Sequence, residues 1–178
     1  MSIPRDIAGL MLSAILSDTV LLKSPTTTDM DRDISKKLAR IARINIEEFG
    51  TLMFKEGSSI GDMSIDEIIN SDMKTYGYEG GVMAIGQIMT IAFDELLAKE
   101  KDIIKALNDM CKHDIKYAFF FVTDIINEGA YLYYSDSAKR KAAIAYGLQD
   151  IYEGVYLHGF VSRKKQMLPP LLDVEDRR

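Results

Sequence analysis

The chain is organised around the stretch Phe160-Val161-Ser162-Arg163-Lys164-Lys165-Gln166-Met167-Leu168-Pro169-Pro170. The apolar run before the three cations, residues 155–161, predicts a buried strand, and the two prolines are expected to stop any helix and force an extended exit. Like charges on so short a segment repel one another and require an anion. The guanidinium fork and the ammonium point charge are groups that bind phosphate. A solvated basic turn is the alternative, because most charge runs are only solvated.

Composition limits the classes of function. The chain has 178 residues, which suits one domain or one domain with part of another, and its 47% apolar residues suffice for a core. A net charge of −5 argues against a general nucleic-acid surface. A single cysteine excludes an internal disulfide and fits a reducing cytoplasm. The longest apolar stretch near the start, residues 7–22, is too short and too polar for a membrane span, so no membrane association is expected.

The first helix leads to a carboxylate in an unusual place. Residues 7–17 are apolar nearly all round, which predicts a helix that is buried on most sides. Asp18 follows, although negative charge is disfavoured at a helix C-terminus. A buried aspartate needs a cation, a metal or several donors. A turn aspartate that accepts from local amides is the alternative.

Glycine and serine residues mark a change in the character of the chain. Residues 1–56 carry helical patterns, residues 57–61 form a Gly/Ser-rich linker, and residues 62–178 mix strands with helices. Apolar runs predict strands at 82–92, 117–122, 130–134 and 155–161. The predicted fold is therefore α+β (α/β-like): a mixed β-sheet of about five strands flanked by helices, preceded by a helical N-terminal segment.

Two motifs give the sequence a family resemblance. The first runs from Ala8 to Thr19, contains Ser17-Asp18-Thr19, and is followed by Lys23-Ser24-Pro25-Thr26; the second is Ser162-Arg163-Lys164-Lys165-Gln166 with its prolines. In this order the chain resembles, over residues 7–172, the C-terminal portion of the manganese-dependent (family II) inorganic pyrophosphatases of the DHH phosphoesterase superfamily. The second motif resembles the signature of the domain called DHHA2.

The resemblance implies two domains with different functions. In such enzymes the N-terminal DHH domain binds Mn²⁺ or Co²⁺ (Mg²⁺ is a further candidate), and the DHHA2 domain closes over the substrate. Residues 1–56 then match the last helices of a DHH domain, and residues 62–178 match DHHA2. By the same resemblance, Asp18 is a metal ligand, whereas Arg163, Lys164 and Lys74 bind pyrophosphate. Lys165, Lys23 and Gln87 receive no role.

The sequence departs from the family pattern at the metal site. The family requires a His-x-x-x-x-Asp-x-Asp segment, a further Asp and an Asp-His-His motif, and the chain has none of them; its only histidines are His113 and His158. The chain therefore holds one metal ligand and no complete catalytic set. We expect it to be the substrate-clamping C-terminal region of a pyrophosphatase, inactive and without retained Mn²⁺ when alone.

Other functions remain open from the sequence. An exopolyphosphatase of the same superfamily and a non-catalytic module that binds pyrophosphate or another polyanion are the alternatives. The expected partners are phosphate anions and the missing DHH domain. The helices of residues 1–56 would normally pack on that domain, so they could expose apolar surface and form a homodimer.

Overall fold

The computed structural model of the chain describes residues 3–57, 63–90, 93–149 and 154–174, apart from the side chain of Asp94. The chain divides into two compact units, Met1–Ser59 and Ile60–Arg178, which we call the helical unit and the sheet unit. Of the predicted linker, Gly57 ends a helix, and residues 58–61 lie outside the described residues.

The helical unit consists of three helices, α1 (Arg5–Asp18), α2 (Asp29–Ala42) and α3 (Ile46–Gly57). α2 begins with a capping box, in which the Thr28 hydroxyl accepts from the Asp31 N–H and the Asp31 carboxylate accepts from the Thr28 N–H. The Asn45 side chain accepts from the first amides of α3. Short polar sequences at the helix starts therefore fix where α2 and α3 begin.

The expectation that α1 is buried on most sides is wrong. One face, which carries Ala8, Leu12 and Leu16, is fully buried against the other two helices. The opposite face leaves Leu10 67% exposed and Ile7 and Met11 more than two-fifths exposed. A helix that is apolar all round requires neighbours on every side, and the described residues of this unit supply them on one side only.

The sheet unit alternates strands and helices. Its described elements are, in chain order, α4 (Ile65–Asn70), β1 (Met73–Tyr78), β2 (Gly81–Thr90), α5 (Phe93–Leu97), α6 (Glu100–Met110), β3 (Tyr117–Asp124), β4 (Gly129–Tyr134), a 3₁₀ turn (Asp136–Ala138), α7 (Lys139–Tyr146), β5 (Val155–His158), a π-helical turn (Arg163–Met167) and α8 (Leu168–Asp173).

The five strands form one mixed sheet in the order β1-β2-β3-β4-β5. β2 and β3 are parallel and are joined through α5 and α6, whereas the other neighbouring pairs are antiparallel. One face of the sheet packs on α4 and α6 through Ile68, Leu107 and Phe120. The other face packs on the C-terminal helices through residues such as Phe121 and Leu171. The predicted fold class, a mixed sheet flanked by helices, is confirmed.

The strands that follow from apolar runs are present. β3 is buried almost throughout, as its run of apolar residues predicts, and β4 pairs with it antiparallel. β2 ends at Thr90, and the last two residues of its predicted span lie outside the described residues. β1 was not predicted, because its residues are mainly polar and half of them are exposed at the sheet edge.

The predictions for the basic stretch need two corrections. The buried strand predicted over 155–161 ends at His158, because Gly159 has a left-handed φ of 78° and turns the chain out of the sheet. The prolines do not force an extended exit: Pro169 and Pro170 lie in the first turn of α8, where the helix makes no demand on their missing N–H groups. The cations therefore lie on a π-helical turn that leads directly into a helix.

Among the described residues, no helix is long and apolar enough to cross a membrane.

Candidate functional site

The topology of the sheet gathers chain segments from distant parts of the sequence at one edge. β2, β3 and β5 end there, and β1 and β4 begin there, because each antiparallel neighbour runs the other way. Residues 159–167, which we call the basic loop, follow β5 at this edge. Edges at the carboxyl ends of parallel strands are common ligand-binding positions.

Arg163 is buried at the start of the π-helical turn. Its Nη1 donates to the backbone carbonyls of Asp72, at 2.6 Å, and Ile85, at 3.3 Å. Its Nη2 lies 2.9 Å from each carboxylate oxygen of Asp72. The guanidinium side chain is only 9% exposed. A buried cation is costly unless it is paired and hydrogen-bonded, and the residue before β1 provides both kinds of partner.

Lys74 lies one residue into β1 and is exposed. It is opposite Ile85 in the ladder between β1 and β2, so it is adjacent to the residue whose carbonyl accepts from Arg163. Residues that alternate along a strand share a face. Lys74 is therefore on the same face as Tyr76, which packs on the core beneath the basic loop. The sheet brings Lys74 and Arg163 to the same region.

Lys164 and Lys165 follow Arg163 on the π-helical turn, and both are exposed. Within the described ranges, neither of them forms an ion pair or a side-chain hydrogen bond, and the same holds for Lys74. The edge thus has three solvated cations around one buried, paired guanidinium. Repulsion among these charges makes an anion favourable there.

Gln166 shapes the basic loop from within. Its Oε1 accepts from the N–H groups of Val161 and Ser162, both at 3.0 Å, and its Nε2 donates to the Gly159 carbonyl at 2.6 Å. One side chain therefore satisfies three backbone groups of an irregular segment. No separate role was predicted for Gln166, although its position in the basic motif was a usable signal.

Gln87 ties the basic loop to the sheet. It is a buried residue of β2, and its Nε2 donates to Thr123 Oγ1 at 2.8 Å and to the Val161 carbonyl at 3.3 Å. Tyr146 adds a second tie, because its hydroxyl donates to the Met167 carbonyl at 2.6 Å. Burial raises the pKa of the Tyr146 hydroxyl far above its ordinary value, so the group remains a donor. These two contacts hold the loop at both ends.

Asp18 belongs to the other unit. It is the last residue of α1 and is exposed. The next residues, Val20, Leu21 and Leu22, have left-handed φ values of 50°, 56° and 63°. The Thr19 hydroxyl holds this turn by donating to the Ile15 carbonyl at 2.6 Å and accepting from the Leu22 N–H at 3.1 Å. Such conformations cost about 1–2 kcal/mol per non-glycine residue, and strain of this kind often lies beside functional groups.

The side chains present do not assemble a metal centre. In the parts of the chain that the structure describes, no three His, Cys, Asp or Glu residues lie close enough to hold an ion. Mn²⁺ sites use several carboxylate, imidazole or water ligands. Asp18 has no such companions in those parts, and the two histidines are both exposed. The donor set of these residues therefore does not fit a manganese ion.

The edge that carries the basic loop lies within a segment that matches a known domain family. The family model for the DHHA2 domain matches residues 51–174. The matched segment includes β1, the basic loop and every strand of the sheet.

Several curated relatives extend over nearly the whole chain. The manganese-dependent inorganic pyrophosphatase of Methanocaldococcus jannaschii is 44% identical over an alignment that covers 93% of this chain and 54% of that protein. A Lactobacillus gasseri protein, named "Probable manganese-dependent inorganic pyrophosphatase", is 40% identical over 95% of this chain and 55% of its own length. The chain thus spans about half the length of the curated relatives it matches.

A solved structure agrees with the sequence relatives. A crystal structure assigned to the family II inorganic pyrophosphatases, from Methanococcus jannaschii, superposes with a TM-score of 0.82 at 42% identity. The match covers 97% of this chain and 56% of that one.

Proposed function

Because the chain belongs to the DHHA2 domain family, we propose that it is the substrate-clamping region of a metal-dependent inorganic pyrophosphatase. Such an enzyme hydrolyses pyrophosphate to two phosphates. The curated relatives carry that name, and this chain matches about half of each. The substrate of the site described above is then pyrophosphate.

One observation supports this assignment above the others: a single sheet edge carries Lys74, Arg163 and Lys164. These residues are far apart in the sequence, and Asp72 and Ile85 link the strand that carries Lys74 to the turn that carries the other two. A solvated basic turn would not require a buried arginine or an amide side chain that orders its backbone. The arrangement suits an anion with several charged oxygens.

Each cation has a distinct part in this proposal. Lys74 and Lys164 are exposed ammonium groups that neutralise the charge of the phosphate oxygens as the substrate arrives. Arg163 is already oriented by two backbone carbonyls, so little side-chain freedom is lost when its remaining edge contacts the anion. Preorganised cations of this kind stabilise charge that develops on a leaving phosphate.

The groups that bind the metal are proposed to come mainly from another region of the complete enzyme. Asp18 is assigned as one metal ligand, and the other ligands are assigned to a DHH-type region of the complete enzyme. Manganese supplies the hydrolytic water in such enzymes, and the described residues do not form a donor set for it. We therefore propose that the 178-residue chain neither retains Mn²⁺ nor hydrolyses pyrophosphate alone.

Titration calorimetry of the chain with pyrophosphate tests the clamp. We expect binding without turnover, and a loss of about three- to tenfold in affinity for Lys74→Gln and for Lys164→Gln, since each removes one solvated charge near the anion. Lys101→Gln is the matched control, because Lys101 is an exposed lysine of α6 on the opposite face of the sheet. The control is expected to bind like the parent chain.

Two results would contradict the proposal. If the parent chain did not bind pyrophosphate, its cations would not form the proposed clamp. Metal-dependent phosphate release by the parent chain, abolished in Asp18→Ala, would show that the chain is itself an enzyme.

A non-catalytic module that binds polyanions is the second candidate. The exposed cations Lys74, Lys164 and Lys165, grouped around one buried guanidinium, support it. Polyphosphates of increasing length distinguish the candidates, because a polyanion module or a polyphosphatase gains affinity with each added phosphate. A pyrophosphate clamp is saturated by two phosphates.

A further inference from the structure

Asp72 occupies the outward edge of the Arg163 guanidinium. We propose that its carboxylate is a built-in competitor, which holds the place of a phosphate group and is displaced when the anion binds. This inference rests on the proposed function, because it concerns the same anion site. It assigns Asp72 a part in setting the affinity of that site.

The guanidinium keeps its position without the carboxylate. Nη1 donates to the backbone carbonyl of Asp72, the residue before β1, and to that of Ile85 in β2. The Asp72 carbonyl is itself fixed, since it also accepts from the Gln87 N–H at 3.2 Å. Departure of the Asp72 side chain therefore leaves Arg163 oriented, with its Nη2 edge open.

The carboxylate, in contrast, is easy to replace. The Asp72 side chain is 49% exposed, whereas that of Arg163 is 9% exposed. Both carboxylate oxygens lie 2.9 Å from Nη2, so a phosphate oxygen that accepts from this nitrogen would take their place. A half-exposed carboxylate that leaves the guanidinium regains hydration, so its displacement costs little.

A buried cation explains why such a placeholder is present. An unpaired guanidinium in this position would carry a large desolvation penalty. Asp72 removes that penalty when no anion is bound. Lys74, which is exposed, lies two residues further on, in β1. An anion that replaces Asp72 at Arg163 is therefore close in the chain to this exposed lysine.

The exchange lowers the affinity for the anion, because part of the binding free energy is used to separate the existing pair. Removing the negative charge of Asp72 is then expected to tighten pyrophosphate binding. Asp72→Asn is the appropriate variant: asparagine has the same shape, still accepts from Nη2, and keeps both backbone contacts of residue 72.

Calorimetry of the 178-residue chain with pyrophosphate, at fixed low salt, tests this inference. We expect Asp72→Asn to bind about two- to fivefold more tightly than the parent chain, the range expected for one partly exposed ion pair. Glu79→Gln is the matched control, since Glu79 is an exposed carboxylate just beyond the far end of β1. Its affinity is expected to change less than about twofold.

A second measurement observes the displacement directly. In the parent chain labelled with ¹³C, the carboxyl resonance of Asp72 is expected to shift on addition of pyrophosphate, whereas that of Glu79 stays unchanged. If the parent chain binds and Asp72→Asn binds equally or more weakly, the inference is wrong and the clamp stands. If neither chain binds pyrophosphate, the proposed function fails and the inference fails with it.

Discussion

A single amide side chain holds the basic loop in shape. Gln166 satisfies two N–H groups and one carbonyl of residues 159–162, none of which belongs to a helix or strand. Gln166→Met keeps the length of the side chain and removes all three contacts. We expect a loss of about 1–3 kcal/mol in the free energy of unfolding of the sheet unit, because irregular backbone groups lose their partners.

Hydrogen exchange at the amides of Val161 and Ser162 is the most direct measurement, and both are expected to exchange faster in Gln166→Met. Lys165→Met is the control, because the neighbouring side chain is exposed and forms no hydrogen bond or ion pair in the described ranges. Equal protection in both variants would show that the loop is held by other contacts. Pyrophosphate affinity is also expected to fall, since the loop carries Arg163 and Lys164.

The environment of Arg163 could not be predicted from the sequence. Its position in a basic motif predicted contact with an anion, which remains a proposal. Its burial depends on Asp72, which lies 91 residues earlier in the chain. Nothing near Asp72 in the sequence indicates that its carboxylate pairs with an arginine. Only the sheet order, which brings the start of β1 beside the end of β2, makes the pair possible.

The left-handed turn after α1 is a strained element with one organising side chain. Thr19 is buried, and its hydroxyl is the acceptor for the Leu22 N–H. We expect Thr19→Val to lower the free energy of unfolding of the helical unit by about 1–3 kcal/mol, because that N–H loses its partner while the shape is kept. Thr19→Ser keeps the hydroxyl and is expected to lose less.

Urea unfolding followed by circular dichroism measures the free energy of unfolding. The comparison of the two variants tests whether the hydroxyl holds the turn. A larger loss in the serine variant than in the valine variant would show that the methyl group, rather than the hydroxyl, holds the turn. The exposed carboxylate of Asp18 immediately precedes this turn. The proposed metal ligand is therefore held on a backbone with few alternative conformations.

Elements with uniform patterns were predictable, and elements shaped by tertiary contacts were not. The apolar run of β3 depends on neighbours within a few residues, and the predicted strand was found. The capping boxes that begin α2 and α4 are equally local. β1 lacks an apolar run and exists because β2 pairs with it. The predicted effect of the prolines was wrong because a proline ends a helix only when a turn of that helix already precedes it. Here a helix begins at the residue before them.

At the scale of the whole molecule, each unit has its own core and its own helix cap. Thr28 and Asp31 form the capping box of α2 in the helical unit, and Ser64 and Glu67 form that of α4 in the sheet unit. The cap hydrogen bonds lower the pKa of Asp31 and of Glu67 below their ordinary values. The two boxes are therefore matched reporters of the two units.

Alanine at each cap separates the stabilities of the units. We expect Thr28→Ala and Ser64→Ala each to cost about 0.5–2 kcal/mol, and each only in its own unit. Hydrogen exchange by mass spectrometry measures this, with peptides from 5–57 reporting on one unit and peptides from 63–174 on the other. Faster exchange in both groups of peptides for either variant would contradict two independent cores.

Acid unfolding also separates the stabilities of the two units, and the capping hydroxyls of Thr28 and Ser64 stay unchanged. A carboxyl whose pKa is lower in the folded state contributes stability above its unfolded pKa, and that stability is lost as the pH falls through the folded pKa. Asp31→Asn is therefore expected to make the helical unit less sensitive to acid than the parent, and Glu67→Gln to do so for the sheet unit. Because the cap hydrogen bonds lower the pKa of each carboxyl below its ordinary value, the difference lies wholly below neutral pH, where the carboxylates become protonated.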